Sequence, residues 1–93
     1  MDRHRKMNKH YSIKVNNKSV KILKYKRESY YDDLDNEEVN LIELITKIPN
    51  DVLDNKEVLI DIDGEVIKAN WVSHFSQPGL HRYMYKVSDI LFH

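Results

Sequence analysis

Asp35-Asn36-Glu37-Glu38-Val39-Asn40-Leu41-Ile42-Glu43-Leu44-Ile45-Thr46-Lys47-Ile48-Pro49 is the segment on which the architecture of this chain turns. Asp35 stands three residues ahead of Glu38, a capping-box spacing with Asp in the Ser/Thr role. Glu37 and Glu38 suit the positive end of a helix dipole. Val39, Leu41, Ile42, Leu44, Ile45 and Ile48 make a broad apolar face, with Asn40, Glu43, Thr46 and Lys47 opposite. Glu43 precedes Lys47 by four residues, the favourable ion-pair orientation, and Pro49 pushes its predecessor out of the α region. The pattern predicts one amphipathic helix.

Upstream, residues 28–36 (ESYYDDLDN) read as an acidic link. Before it, Tyr11 to Val15 and Val20 to Tyr25 alternate as strands do. With Asn17-Lys18 as a two-residue turn, Val15 faces Val20, Ile13 faces Ile22 and Tyr11 faces Lys24. The other side of that hairpin pairs Lys14 with Lys21, Ser12 with Leu23 and His10 with Tyr25. Residues 1–8 carry no periodicity and read as a flexible basic arm.

Downstream, the chain reads as a three-stranded meander. Asp63-Gly64 is a type I′ hairpin signal that sets Ile60 opposite Ile67 and Val58 opposite Ala69. Gln77-Pro78-Gly79-Leu80 is a type II turn signal. It sets Phe75 opposite Arg82, His74 opposite Tyr83, Val72 opposite Tyr85 and Trp71 opposite Lys86. One face then collects Val58, Ile60, Ile62, Ile67, Ala69, Trp71, Phe75, Met84 and Ile90, a core for the helix to cover. The expectation is an α+β domain over residues 9–93, ββαβββ, with a mainly antiparallel sheet of about five strands and one helix packed on it.

At 93 residues the chain makes one domain, burying roughly 60–65% of its unfolded surface. It has no Cys, which excludes disulfides, thiol catalysis and thiolate zinc sites and fits a reducing compartment. No apolar run is long enough to span a membrane, and no apolar segment of a secretory signal follows the basic N-terminus. The cytoplasm is the expected location. Ala occurs once while Lys, Asn, Ile, Asp and Tyr abound, the bias of an AT-rich genome such as those of low-GC bacteria and their phages. In general style the chain is similar to small phage and mobile-element accessory proteins.

Charge is sorted by position. Residues 1–27 hold ten Lys/Arg against Asp2 alone. Residues 28–65 hold thirteen acids against Lys47 and Lys56, and the whole sequence is neutral. Two strong local fields of this kind act on association and partner choice.

The acidic run Glu28, Asp32, Asp33, Asp35, Glu37 and Glu38 has Tyr30 and Tyr31 embedded in it. Carboxylates with exposed aromatics suit the basic, nucleic-acid-binding surface of a larger protein, with steering from the acids and anchoring from the tyrosines. The bland reading is a solvated loop with helix-capping acids. A second candidate surface is the basic strip Arg3, Arg5, Lys6, Lys9, Lys14, Lys21, Lys24, Tyr25, Lys26 and Arg27, where cations interleave with an aromatic as in nucleic-acid binders. Against it stand a solvated Lys-rich sheet edge and internal pairing with the acidic run. A third is an apolar-aromatic patch of Val72, His74, Tyr83 and Tyr85 on the second sheet face. Left uncovered it marks an interface, and a homodimer is one occupant.

No cofactor or metal site survives weighing. Asp61-Ile62-Asp63-Gly64-Glu65 lacks the closing acid of a calcium loop, since Val72 stands where the bidentate Glu belongs. His74 and His81 flank the Pro-Gly turn on one face but have no third ligand by spacing, and His4, His10 and His93 lie near the ends. The segment His81-Arg82-Tyr83-Met84-Tyr85-Lys86-Val87 with terminal His93 is loosely similar to the tail of RelE-type ribonuclease toxins. That resemblance implies Arg82 as a phosphorane stabiliser and Tyr85 and His93 in acid–base roles. The leading expectation is a non-enzymatic phage or mobile-element protein that inhibits a host nucleic-acid-handling protein, an anti-defence role. Nucleic-acid binding through the basic hairpin and the ribonuclease reading are the alternatives.

Overall fold

The structure, a computed structural model, describes residues 12–92. It is a single antiparallel sheet of seven strands: β1 Ile13–Val15, β2 Lys18–Ser19, β3 Lys24–Asp32, β4 Glu37–Thr46, β5 Glu57–Ile62, β6 Glu65–Gln77 and β7 Leu80–Phe92. The spatial order is β2-β1-β5-β6-β7-β4-β3. The described residues contain no α-helix; a 3-10 turn at Asp51–Asp54 is the one helical element among them.

The predicted helix is therefore β4, and the five-strand sheet with a packed helix gives way to seven strands. The reason lies in where β4 sits. It pairs with β3 on one side and β7 on the other, and from Ile42 to Thr46 every residue is buried. A strand covered on both faces loses its period of two and becomes a continuous apolar run, which helical spacing fits equally well. Val39, Ile42, Ile45 and Thr46 are β-branched, stiff residues that sit well on a pleated surface. The supposed capping acids instead build a turn. Asp32 Oδ1 accepts from the Leu34 and Asp35 amides at 2.9 and 3.3 Å, and Asn36 closes the turn at φ 57°.

The N-terminal hairpin is also shifted. Its turn is Asn16-Asn17, both at positive φ (52° and 68°), the left-handed pair that a type I′ turn needs and Asn tolerates. Val15 therefore faces Lys18 and Lys14 faces Ser19, so the predicted Lys14–Lys21 and Val15–Val20 pairs do not form. After β2 the chain leaves the hairpin, and residues 24–32 join β4 on the far side of the sheet.

That crossing fixes the overall shape. β2 and β3 are opposite edges of the sheet, six strand spacings apart, about 29 Å if the sheet were flat. The chain from Ser19 to Lys24 spans at most about 18 Å when fully extended. The sheet must curl, and it does so into an open barrel. Its inner face holds the core: Ile13, Val15, Val20, Ile42, Leu44, Val58, Ile60, Ile62, Ile67, Ala69, Tyr83 and Tyr85, with Leu53 of the 3-10 turn plugging one end. Arg27 of β3 reaches Glu65 at the start of β6 with a 2.8 Å ion pair, tying strands that a flat sheet would hold apart.

Both downstream hairpins form as read. Asp63 and Gly64 have φ 51° and 98°, Ile60 faces Ile67, and Val58 faces Ala69. Phe75 faces Arg82 and His74 faces Tyr83. Between Trp71 and Ser73 a bulge leaves Val72 unpaired, so Trp71 meets Tyr85 rather than Lys86. The extra residue reverses the alternation. Tyr83 and Tyr85 become fully buried while Phe75, assigned to the core by alternation, is 57% exposed. Trp71 and Ile90 are partly exposed, at 39% and 38%, and Met84 is half-buried. No helix of the described residues is long and apolar enough to cross a membrane.

Candidate functional site

Two places on the barrel concentrate chemistry-bearing side chains. The first is the β3–β4 ribbon. β4 pairs with β7 only from Leu41 to Thr46, whereas its pairing with β3 continues to Asp32↔Glu37. From Ser29 to Asn40 the two strands thus run beyond the β4–β7 pairing as a ribbon of their own. The ribbon carries the acidic run from Asp32 to Glu38, with Glu28 just before it, opposite Leu41. Tyr30 and Tyr31 are 53% and 57% exposed, and Leu34 at the turn is 95% exposed. The Tyr31 hydroxyl donates to the side-chain oxygen of Asn36, which stiffens the tip. Glu37 meets Lys86 at 3.7 Å. Glu28, Asp33, Asp35 and Glu38 have no cationic partner among the described residues. The acids and tyrosines singled out in the sequence are brought together, on a strand pair rather than on a helix-approach loop.

The basic strip, by contrast, is dispersed. Lys14 lies across from Asp61 of β5, Lys26 is 3.7 Å from Glu43, and Arg27 is bound to Glu65. Lys24 and Lys26 project from the outer side of β3; Tyr25, on the inner side, packs against the core. Lys21 is exposed on the link between β2 and β3. Arg3, Arg5, Lys6 and Lys9 lie outside the described residues, as do His4, His10, Tyr11 and His93. The aromatic patch is not a surface: Tyr83 and Tyr85 are at 0% exposure, and only Val72, on the bulge, remains open. Arg82 and Tyr85, assigned roles by the toxin resemblance, project from opposite faces of β7, since Tyr85 faces the core and Arg82 the solvent.

The second place is the end of the barrel where the β6–β7 hairpin meets the 3-10 turn. Asn50 caps that turn, its Oδ1 accepting from the Val52 amide at 3.1 Å. The turn delivers Leu53 to the core and Asp54 to its rim. The Tyr85 hydroxyl donates to the Leu53 carbonyl at 2.6 Å, and the Asn50 amide donates to the Tyr83 hydroxyl at 3.1 Å. Burial pushes both tyrosine hydroxyls above their ordinary titration range, and the Asp54 charge adds to the shift.

Asp54 then starts a chain of polar contacts. Its Oδ1 accepts from Trp71 Nε1 at 3.0 Å, and its Oδ2 lies 3.1 Å from His74 Nδ1. His74 Nε2 lies 3.2 Å from His81 Nδ1, and the Ser76 hydroxyl approaches the same nitrogen at 3.2 Å. The His74 ring stacks on Tyr83 with centroids 4.1 Å apart. Sequence reasoning placed the two histidines on one face but missed Asp54, which reaches them from a turn twenty residues away. No three His, Cys, Asp or Glu side chains converge on one point among the described residues.

One groove of about 680 Å³, between the β1–β2 turn and the end of β7, is lined by Asn16, Glu57, Leu59, Lys68, Asp89 and Leu91 among others. Its charges are of both signs, Lys68 is paired with Glu57 at 3.6 Å, and it contains no nucleophile–base pair. Comparison with protein-family models, with curated proteins and with solved structures gives no match, so the geometry alone carries the reading of this chain.

Proposed function

We propose that this chain is a small binding protein whose acidic β3–β4 ribbon docks into a basic, nucleic-acid-binding surface of a larger protein and blocks it. The observation that carries the reading is the placement of Asp33, Asp35 and Glu38 with no cationic partner among the described residues, beside exposed Tyr30, Tyr31 and Leu34, on the part of the β3–β4 strand pair that is not paired with β7. Carboxylates of one sign at an exposed tip steer association with a cationic groove. Two tyrosines and a leucine give the tip an anchor of large contact area at low entropic cost. Among the described residues of the basic strip, the pairing of Lys26 with Glu43 and of Arg27 with Glu65 weighs against nucleic acid as the direct ligand. An accessory protein of a phage or mobile element directed at a host nuclease matches this chemistry and the AT-rich composition.

The test compares wild-type protein with the triple variant Asp33→Lys, Asp35→Lys, Glu38→Lys, leaving Asp32 to hold the turn. Each tagged protein is passed through nuclease-treated bacterial lysate and its retained proteins are identified by mass spectrometry. The expected result is a stoichiometric partner that wild type retains, that salt elutes and that the variant loses. Equal recovery by the two proteins would refute the reading.

A further inference from the structure

We propose that His74 and His81 form a binding site for one divalent ion of the zinc class, with Asp54 as the group that orients the first ligand. The Asp54 carboxylate is an acceptor, so the His74 nitrogen beside it, Nδ1, carries the proton. In a neutral ring that leaves the Nε2 lone pair pointing at His81 Nδ1, 3.2 Å away. Two imidazole lone pairs facing each other at that distance repel, so an electrophile has to lie between them. A proton on His81 Nδ1 is one; a metal ion is the other.

The spacing suits the ion. Two Zn–N bonds of about 2.05 Å at the tetrahedral angle hold their nitrogens about 3.3 Å apart. A carboxylate on the far nitrogen of a ligating imidazole is the usual outer partner of such a site, fixing tautomer and ring direction. Here that carboxylate is itself held by Trp71 Nε1, and the His74 ring is braced against Tyr83. The His74 side chain is 19% exposed, leaving an approach for water to complete the coordination. The Ser76 hydroxyl, 3.2 Å from His81 Nδ1, is placed to hold one of those waters. Nitrogen donors exclude calcium and magnesium and favour zinc, copper or nickel. With two protein ligands the ion is exchangeable, bound at micromolar rather than structural-zinc strength. Binding moves the His81 proton from Nδ1 to Nε2 of the same ring, so the neutral pair takes up the ion with no net proton released.

The experiment titrates Zn²⁺ into the full chain at pH 7.5, followed by calorimetry and by ¹⁵N long-range spectra of the imidazole rings. At one equivalent, His74 Nε2 and His81 Nδ1 are expected to shift ahead of the rings of His4, His10 and His93. His81→Gln should remove that binding step, and Asp54→Asn should weaken it about tenfold or more. Unmoved His74 and His81 nitrogens, or a His81→Gln variant that titrates as wild type does, would show that only a proton lies between the rings and overturn the site. Wild-type affinity in Asp54→Asn would overturn the orienting role of the carboxylate. The ring spectra read the native fold directly, so they decide the matter even where a variant folds poorly.

Discussion

Replacing Tyr85 with Phe removes one buried oxygen beneath the 3-10 turn at the end of the barrel and should cost about 2 kcal/mol at pH 7. The hydroxyl donates to the Leu53 carbonyl at 2.6 Å, and both Tyr85 and Leu53 are at 0% exposure. No water can replace the lost donor, so the variant strands a buried acceptor, a penalty of roughly 1–3 kcal/mol. For a domain of this size that lowers Tm by about 8–16 °C. The same hydroxyl makes a second, opposite contribution in alkali. Burial raises its pKa in the folded protein, so above about pH 10 the unfolded chain loses a proton that the folded one keeps. Fewer protons on the unfolded state means that stability falls as pH rises. By pH 11 the wild type has lost up to about 1.4 kcal/mol through this group, and Tyr85→Phe has lost none of it. The difference between the two should therefore shrink from about 2 kcal/mol at pH 7 to no less than about 0.6 kcal/mol at pH 11. Urea unfolding followed by circular dichroism at both pH values measures it. A gap under about 0.5 kcal/mol at pH 7, or one that does not narrow at pH 11, would refute the argument.

Leu53→Ala should cost about 2–5 kcal/mol in the same assay, because Leu53 fills the end of the barrel from a turn too short to follow the cavity inward. Asn17→Gly should raise stability by about 0.5 kcal/mol by relieving a left-handed residue, seen as a higher urea midpoint. The same change at Asn16 should lower stability by about 1 kcal/mol, since Asn16 Oδ1 accepts from the Leu59 amide at 2.9 Å. The triple tip variant should unfold within about 0.5 kcal/mol of wild type, separating its binding defect from any folding defect.

The two downstream turns and the charge pattern were legible in the sequence; the N-terminal turn, the Asp32–Asn36 turn and the strand partners outside the β5–β6–β7 meander were not. Asp63-Gly64 and Pro78-Gly79 announce their hairpins because special backbone angles demand particular residues, and the registers follow by counting. Counting fails at Val72, where a bulge with no sequence mark of its own moves Tyr85 from solvent to core. Periodicity fails at Ile42–Thr46, where burial on both faces removes the alternation that separates strand from helix. The β-branched content of that stretch was the available warning. The acidic run was visible as a run, but its place on a strand pair free of β7 depends on where β7 stops pairing with β4, a long-range fact. The Asp54–His74 contact likewise needs the curl of the sheet to bring a turn against a hairpin.

The four-residue crossing from β2 to β3 also shapes how the barrel assembles. The β5–β6–β7 meander closes through two-residue turns, so it can zip locally. β1 must instead find β5 across more than forty residues, and β4 must find β7 across more than thirty. Each search alone is slow, with a large closure entropy. Residues 20–23 link the two searches: once β4 has brought β3 to one side of the meander, the N-terminal hairpin is confined near the other at high effective concentration. The second docking then becomes a local event, and the two sides of the barrel form together or not at all.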